Sequence, residues 1–550
     1  MEEQVRDLVR EALDGAFPGA VDRRFSVEIE VPRERGHGDL ATNAALGLAR
    51  VLKHPPRAIA ETLAERLRTH GELFEAVEVA GPGFLNFRIR ADRVREGLAA
   101  LLARGNDCGR SRHGGGRRVM VEYVSANPTG PLNVVNARAA AFGGALVRLL
   151  DAAGYDAISE FYVNDVGRQI DLLGATFLAR FHEVTGTGDP TLPEEGYRGA
   201  YLKDLAEAMD PADISARLAG KSPEEQVAVM ADLAVDRIRS GQEQDLAAYG
   251  TRFDRWFRQH ELYPDAVQNA LERMRERGLV EERDGAVWFR STAYGDDQDR
   301  VVVRANGEPT YFLADIAYHV TKHDRGVSHS IDIWGPDHHG YIGRMQAAAA
   351  ALGYGRDWLE VLIVQQVNLL SGGEQVKMSK RRGEFITLQD LLDEVGKDAA
   401  VFFFLMRRAE SHLDFDLDLA KKEGDENPVF YVKYAHARVS GILRKADEEN
   451  VVRDAEPDLS RLEEPSEMAL AKLLLRFPGI VVSAAEAREP HRLTGYLRDV
   501  AQAFHLFYHH CRVVTEDAGL TGARLALVEA SRLVLARGLG LMDIAAPERM

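Results

Sequence analysis

The segment that most restricts the fold lies between Val119 and Ala153. Val119-Met120-Val121-Glu122-Tyr123-Val124 is a mostly apolar run of strand length, as expected of a strand covered on both faces. It leads through Ser125-Ala126-Asn127-Pro128-Thr129-Gly130-Pro131, a turn imposed by proline and glycine, into a helical pattern from about Ala137 to Ala153. Strand, glycine-containing turn and helix open a doubly wound parallel sheet, and such sheets bind ligands beyond the carboxyl ends of their strands. The fold class is therefore α/β, with a Rossmann-like doubly wound parallel sheet.

The chain is 550 residues long, too long for one core, and roughly 150 residues per domain predicts three or four units. Residues 1–110 read as an N-terminal α/β module. Phe25–Val31 and Phe84–Ile89 alternate apolar and polar residues as strands do, and 41–52 is helical in pattern. Arg110–Arg118 is glycine-rich, basic and unpatterned, which predicts a linker. Residues 111–172 form the first half of the Rossmann-like domain, 173–252 a helical insertion, and 253–395 the second half, with strand-like runs at 287–289, 300–304, 330–334 and 361–364. A stem over 396–426 connects to an all-α helical bundle over 427–550, where stripes such as Leu525, Val528 and Leu535 recur at helical spacing.

A net charge of −17 argues against a protein that coats nucleic acid over its whole surface, but leaves room for a local basic face. Two cysteines, Cys108 and Cys511, exclude a disulfide framework and a cysteine-based zinc site. The charged amphipathic N-terminus and the lack of a continuous apolar run of about 18 residues predict a cytoplasmic protein with no membrane partner. Three tempting signals fail on inspection. Asp414-Phe415-Asp416-Leu417-Asp418 lacks the glycine and terminal glutamate of a calcium loop and reads as a short strand. Gly220-Lys221-Ser222 lacks the upstream glycine of a phosphate loop. His338 and His339 are adjacent on an extended turn, where side chains point apart, so no metal site is expected.

Two motifs carry chemistry. The turn at Pro128–Pro131 aims a helix N-terminus, with its free backbone N–H groups, at an anion. Lys377-Met378-Ser379-Lys380 follows the loop Ser371–Val376, and two lysines there suit neutralisation of a triphosphate leaving group. Glu122, towards the end of the first strand, and Asp315 could receive a cationic substrate or equally pair with a structural arginine.

Together Ser125–Arg138 and Lys377-Met378-Ser379-Lys380-Arg381 resemble the two nucleotide motifs of class I aminoacyl-tRNA synthetases, and the surrounding residues resemble the arginyl-tRNA synthetase family. Phe161–Gln169, Tyr294–Arg300, Asn427–Arg438 and Ala546–Met550 extend the resemblance, which runs from about residue 35 to the last residue. The family's common first motif ends His-Val-Gly-His, whereas this chain has Asn133-Val134-Val135-Asn136. Amides can donate to phosphate but carry no charge, and charged donors make bonds about twice as strong.

The resemblance implies a ligase that joins arginine to tRNA(Arg) through an arginyl-adenylate, and that needs its tRNA for the activation step. The rival reading is a tRNA-binding relative whose altered first motif no longer activates arginine. The implied catalytic residues are Asn133, Asn136, Lys377 and Lys380. Glu122, Asn127, Tyr311, Asp315, Asp337 and His338 would contact arginine; Thr129, Gly130, Leu132, Val135, Met378 and Ser379 would contact ATP. Phe84 and Asn86 would meet the tRNA elbow, and the helical bundle its anticodon. ATP would arrive with Mg2+, without a tightly bound cofactor or a DNA partner, and the family expectation is a monomer.

Overall fold

A computed structural model describes the chain except residues 23–24, 33, 377–385 and 452–455. Near the N-terminus, β1 (Leu40–Thr42), β2 (Phe74–Ala80) and β3 (Phe84–Ile89) form an antiparallel sheet in the order β1-β3-β2, backed by the helices Glu2–Ala16, Ala44–Leu52 and Pro56–Leu67. The alternating run Phe25–Val31 is not a strand. It meets the sheet through the isolated bridge between Glu30 and Ala41 and the Thr42 hydroxyl's bond to Glu28 O, and the short strand that completes the sheet falls at Leu40–Thr42, overlapping the start of the segment whose pattern predicted helix. Residues 110–117 are held in place: Ser111 N–H donates to Ala152 O at 2.8 Å, and a Cβ at Gly114 would lie 2.5 Å from the Tyr155 nitrogen.

The chain then builds a five-stranded parallel sheet from β4 (Arg118–Glu122), β5 (Asp156–Val163) and β6 (Arg255–Arg258). Three strands that follow, β7 (Val280–Arg283), β8 (Ala286–Phe289) and β9 (Arg300–Val303), pair antiparallel with one another. The sequence runs at 287–289 and 300–304 are thus strands of a separate small sheet, not of the Rossmann-like one. The parallel sheet resumes with β10 (His329–Trp334) and β11 (Leu359–Ile363), giving the order β11-β10-β4-β5-β6. The strand order reverses at β4, so the carboxyl ends of β4 and β10 flank the switch point where such sheets bind ligands.

Between β5 and β6 the chain makes four helices, Arg168–Thr185, Tyr201–Glu207, Pro211–Leu218 and Pro223–Ala248, which share their own apolar core. After β11, strands β12 (Val367–Ser371), β13 (Glu374–Gln375) and β14 (Leu413–Asp416) form a third small sheet, with β12 and β14 parallel. The acidic run at 414–418 is this last strand and the start of the helix Leu417–Lys421. From Pro428 to Leu541 the described secondary structure is helical. Pro465–Glu486 is long and apolar enough by composition to cross a bilayer, yet it is two helices, Pro465–Leu474 and Phe477–Glu486, packed into the surrounding helices.

Candidate active site

At the end of β4 the backbone turns sharply: Val124 and Ser125 both adopt positive φ, 68° and 38°. A β-branched residue is strained there, a feature that clusters at functional sites. The turn is fastened by Ser125, whose hydroxyl donates to Glu122 Oε1 at 3.0 Å and accepts the Tyr162 N–H at 3.1 Å.

Helix Val134–Ala152 follows, and its start differs from the sequence expectation. Asn133 Oδ1 accepts from the N–H groups of Val135 (2.9 Å) and Asn136 (3.1 Å), while Asn136 Oδ1 accepts the Asn133 N–H (3.0 Å). The Asn-Val-Val-Asn run is therefore a reciprocal capping box. Two N–H groups expected to face an anion are already satisfied by the helix's own cap, and each asparagine keeps its Nδ2 as a donor. Leu132 O accepts the Leu388 N–H at 2.8 Å, and Asn133 bridges Thr387, so the segment just after the lysine loop is stitched to this motif.

Arg138, one turn further on, is 1% exposed and donates to backbone carbonyls only: Gln365 (2.8 Å), Gln366 (3.5 Å), Arg408 (2.9 Å) and Ser411 (2.8 Å). Burial lowers its pKa to about 10. It ties the motif helix to the segments that lead into β12 and β14, and β12 leads on to Lys377. The sequence gives no signal for this role, because every partner is a distant carbonyl. Lys377, Met378, Ser379 and Lys380 lie outside the described residues.

The acidic side of the site comes from helix Tyr311–Asp324. Asp315, His319 and Lys322 recur at helical spacing and face the ends of β4 and β10. Lys322 is fully buried, its ammonium 2.6 Å from Glu122 Oε2, 2.8 Å from Asp332 Oδ1 and 4.4 Å from the centre of the Tyr318 ring. His319 joins Asp332 Oδ2 at 2.9 Å. Burial pushes the Glu122 carboxyl up despite Lys322. It acts on Asp332 as well, but there Lys322 and His319 outweigh it and hold the carboxyl below the usual range. Asp315 accepts a 2.5 Å hydrogen bond from the Tyr341 hydroxyl, and burial raises its pKa. The Tyr162 hydroxyl is buried without a hydrogen-bond partner among the described residues; burial raises its pKa, and Asp315 and Glu122 act in the same direction.

Glu122 is thus internally paired, while Tyr311 is 59% exposed at the helix start, near Gly167. Asp337 and His338 are exposed on the turn after β10, His338 beside Trp334. Asn127 donates through Nδ2 to Gln169 Oε1 at 3.2 Å. Thr129 and Gly130 are half-buried beside Tyr201, whose hydroxyl donates to Thr129 O; Leu132 is buried and Val135 half-buried. Phe84 and Asn86 sit apart, on β3; Phe84 is half-buried and Asn86 is 8% exposed. Lys322, Asp332, His319, Arg138, Tyr341, Tyr162 and Gln242 are site residues that sequence reasoning missed. Apolar patterning marks where a helix is buried, not which charge its buried face carries.

A doubly wound sheet with a capped motif helix at its switch point, and a match over residues 97–410 to the model described as "tRNA synthetases class I (R), catalytic domain", define a class I aminoacyl-tRNA synthetase. Residues 3–89 match the "Arginyl tRNA synthetase N terminal domain" and 432–550 the "DALR anticodon binding domain". The chain is 47% identical over 557 residues to an "Arginine--tRNA ligase" of Symbiobacterium thermophilum, covering 100% of this chain and 99% of that protein. It is 45% identical over 559 residues to one of Syntrophotalea carbinolica, covering 100% of each. The solved Thermus thermophilus arginyl-tRNA synthetase superposes with a TM-score of 0.80 at 25% identity, covering 100% of both chains. The chain belongs to the arginyl-tRNA synthetase family.

Proposed function

We infer that this chain is an arginine–tRNA ligase. It activates L-arginine with ATP to arginyl-adenylate, releasing pyrophosphate, and passes the arginyl group to the 3′-terminal adenosine of tRNA(Arg), releasing AMP. In the first step a carboxylate oxygen of arginine bonds to the α-phosphorus as the bond to pyrophosphate breaks. In the second, a ribose hydroxyl attacks the arginyl carbonyl and AMP leaves.

The observation that carries this reading is the acidic pocket beside the nucleotide motif. Glu122, Asp315 and Asp332 outnumber the buried cation Lys322, so the pocket accommodates one more positive charge. A guanidinium's planar fork suits carboxylates, and its faces suit tyrosine rings. Asp315 and Glu122 hold the guanidinium with Tyr311, Asp337 and His338 around it, and Asn127 orients the α-amino end. Thr129, Gly130, Leu132, Val135, Met378 and Ser379 receive ATP. The Nδ2 groups of Asn133 and Asn136, with Lys377 and Lys380, stabilise the pyrophosphate leaving group. Mg2+ enters with ATP through the phosphates.

Phe84 and Asn86 in an N-terminal module over 1–110 meet the tRNA elbow, and the helices of 427–550 meet its anticodon. The catalytic domain spans 111–172 and 253–395 around the insertion 173–252, with 396–426 as stem. The protein works in the cytoplasm as a monomer. The test is charging of bulk tRNA with labelled arginine by the purified chain, with labelled lysine as control. Arginine bound in an ester that periodate pretreatment of the tRNA abolishes supports the reading; equal charging with lysine, or none with arginine, overturns it.

A further inference from the structure

The helical insertion contains a polar residue out of place. In helix Pro223–Ala248 the buried positions are Met230, Ala231, Ala234, Val235, Ile238, Gln242 and Leu246, an apolar stripe at helical spacing broken once, at Gln242. Gln242 is 2% exposed. Burying an amide costs about 1–3 kcal/mol unless its hydrogen bonds are made, so a leucine would be the default there.

Gln242 makes bonds with one end only. Its Nε2 donates to Asn127 O at 3.1 Å and Gly130 O at 2.9 Å, while its Oε1 is buried without a partner among the described residues. The two accepting carbonyls bracket the loop Asn127-Pro128-Thr129-Gly130, the first half of the nucleotide motif. The insertion reaches that loop once more through the Tyr201 hydroxyl, which donates to Thr129 O, and just ahead of the insertion Gln169 Oε1 accepts from Asn127 Nδ2. Three of the loop's carbonyls are thereby drawn onto the insertion. Among the described residues no acceptor takes the N–H of Thr129 or Gly130, so these donors remain for an incoming anion.

We propose that Gln242 is a positioning residue for ATP, acting through the carbonyls of Asn127 and Gly130, so that the helical insertion sets the shape of the nucleotide loop. This rests on the ligase reading above, which supplies ATP as the loop's ligand. An unmet Oε1 fits the assignment: the amide is oriented by the loop alone, and the insertion core gains nothing from that oxygen. Gln242 reaches the proposed arginine contacts only through Asn127, whose carbonyl it holds, whereas its hydrogen bond to Gly130 O bears on the ATP side of the loop alone.

Two variants separate this from a purely structural role. Gln242→Glu keeps the size but cannot donate to two carbonyls, and Tyr201→Phe removes only the bond to Thr129. Both are compared with the parent full-length chain in arginine-dependent ATP–pyrophosphate exchange with tRNA present, and in calorimetric titration with ATP. The expected result is a KM for ATP raised about tenfold or more in Gln242→Glu and about threefold in Tyr201→Phe, with a clearly smaller rise in the KM for arginine, which meets this loop only at Asn127. The Kd for ATP should follow the KM. An unchanged KM for ATP, or equal rises for ATP and arginine, would overturn the assignment. If Gln242→Glu fails to fold, Tyr201→Phe decides by the same criterion. Absence of exchange in the parent chain would refute the ligase reading by itself, and the ATP titration would still test the loop.

Discussion

Replacing Lys322 with methionine tests whether the buried charge cluster holds the pocket together. The ammonium sits 2.6 Å from Glu122 and 2.8 Å from Asp332, and neither carboxylate is more than 6% exposed. Methionine fills most of the space and leaves two carboxylates without their shared cation, His319 and the Ser330 hydroxyl still bonded to Asp332 and the Ser125 hydroxyl to Glu122. Breaking a buried ion pair by removing one partner destabilises by about 3–5 kcal/mol. At about 2–4 °C per kcal/mol for a large domain, thermal unfolding of the catalytic domain should move down by roughly 6–20 °C.

The sign of the pH dependence follows from the two carboxyls. Asp332 titrates below its ordinary value in the folded protein, so its stabilisation is present above about pH 3.9, the unfolded value, and is lost as pH falls through the folded one. Glu122 is raised, so its protonation favours the fold as pH falls through its folded value. Without Lys322 both carboxyls need protons, and the deficit of Lys322→Met should shrink on acidification. Adding Asp332→Asn to Lys322→Met should recover part of the loss. The measurement is circular dichroism melting of parent, single and double variants at several pH values. A deficit below about 1 kcal/mol, the range of an exposed pair, would refute the reasoning.

Arg138→Met removes three charge-assisted hydrogen bonds to part-buried carbonyls, each worth about 1.5–3 kcal/mol at most, so denaturant unfolding should show a loss of about 3 kcal/mol; a loss below about 1 kcal/mol would show the carbonyls find other donors. Asn133→Ala removes one side of the cap and should lower stability by about 1 kcal/mol. The triple change Asn133→His, Val135→Gly and Asn136→His, which restores the family's common motif, should lower activity because it dismantles that reciprocal cap; a gain in exchange rate would contradict this. Lys380→Ala should slow adenylate formation about a hundredfold or more, and an unchanged rate would remove the second motif from the mechanism. Cys108 is buried, which pushes its thiol up to about 11, so alkylation at about pH 8 should leave it unmodified in the native protein and label it in denaturant.

The strand–turn–helix at the switch point was legible because its signals are local: an apolar run, a Pro/Gly turn and a helical stripe. The terminal helices were legible for the same reason. Phe25–Val31 alternates as a strand should, but pairing requires a neighbour, and only Glu30 finds one. The runs at 287–289 and 300–304 are strands whose sheet membership depends on which partner is nearest, information that periodicity lacks. The charge cluster was hidden by sequence distance: Lys322 and Glu122 lie 200 residues apart, and Arg138 and the Arg408 carbonyl 270. The cap at Asn133 was readable in principle, since asparagine is a strong N-cap residue, but the same side chain carries an amide nitrogen that suits phosphate equally well, and sequence alone does not say which end is used.

The most direct test of the account is arginine-dependent ATP–pyrophosphate exchange by the purified protein, with and without tRNA(Arg), and with lysine in place of arginine. The account predicts exchange with arginine and tRNA together and background with lysine. Tight tRNA binding with no exchange under any condition would contradict it, because the capped Asn-Val-Val-Asn motif would then bind without activating.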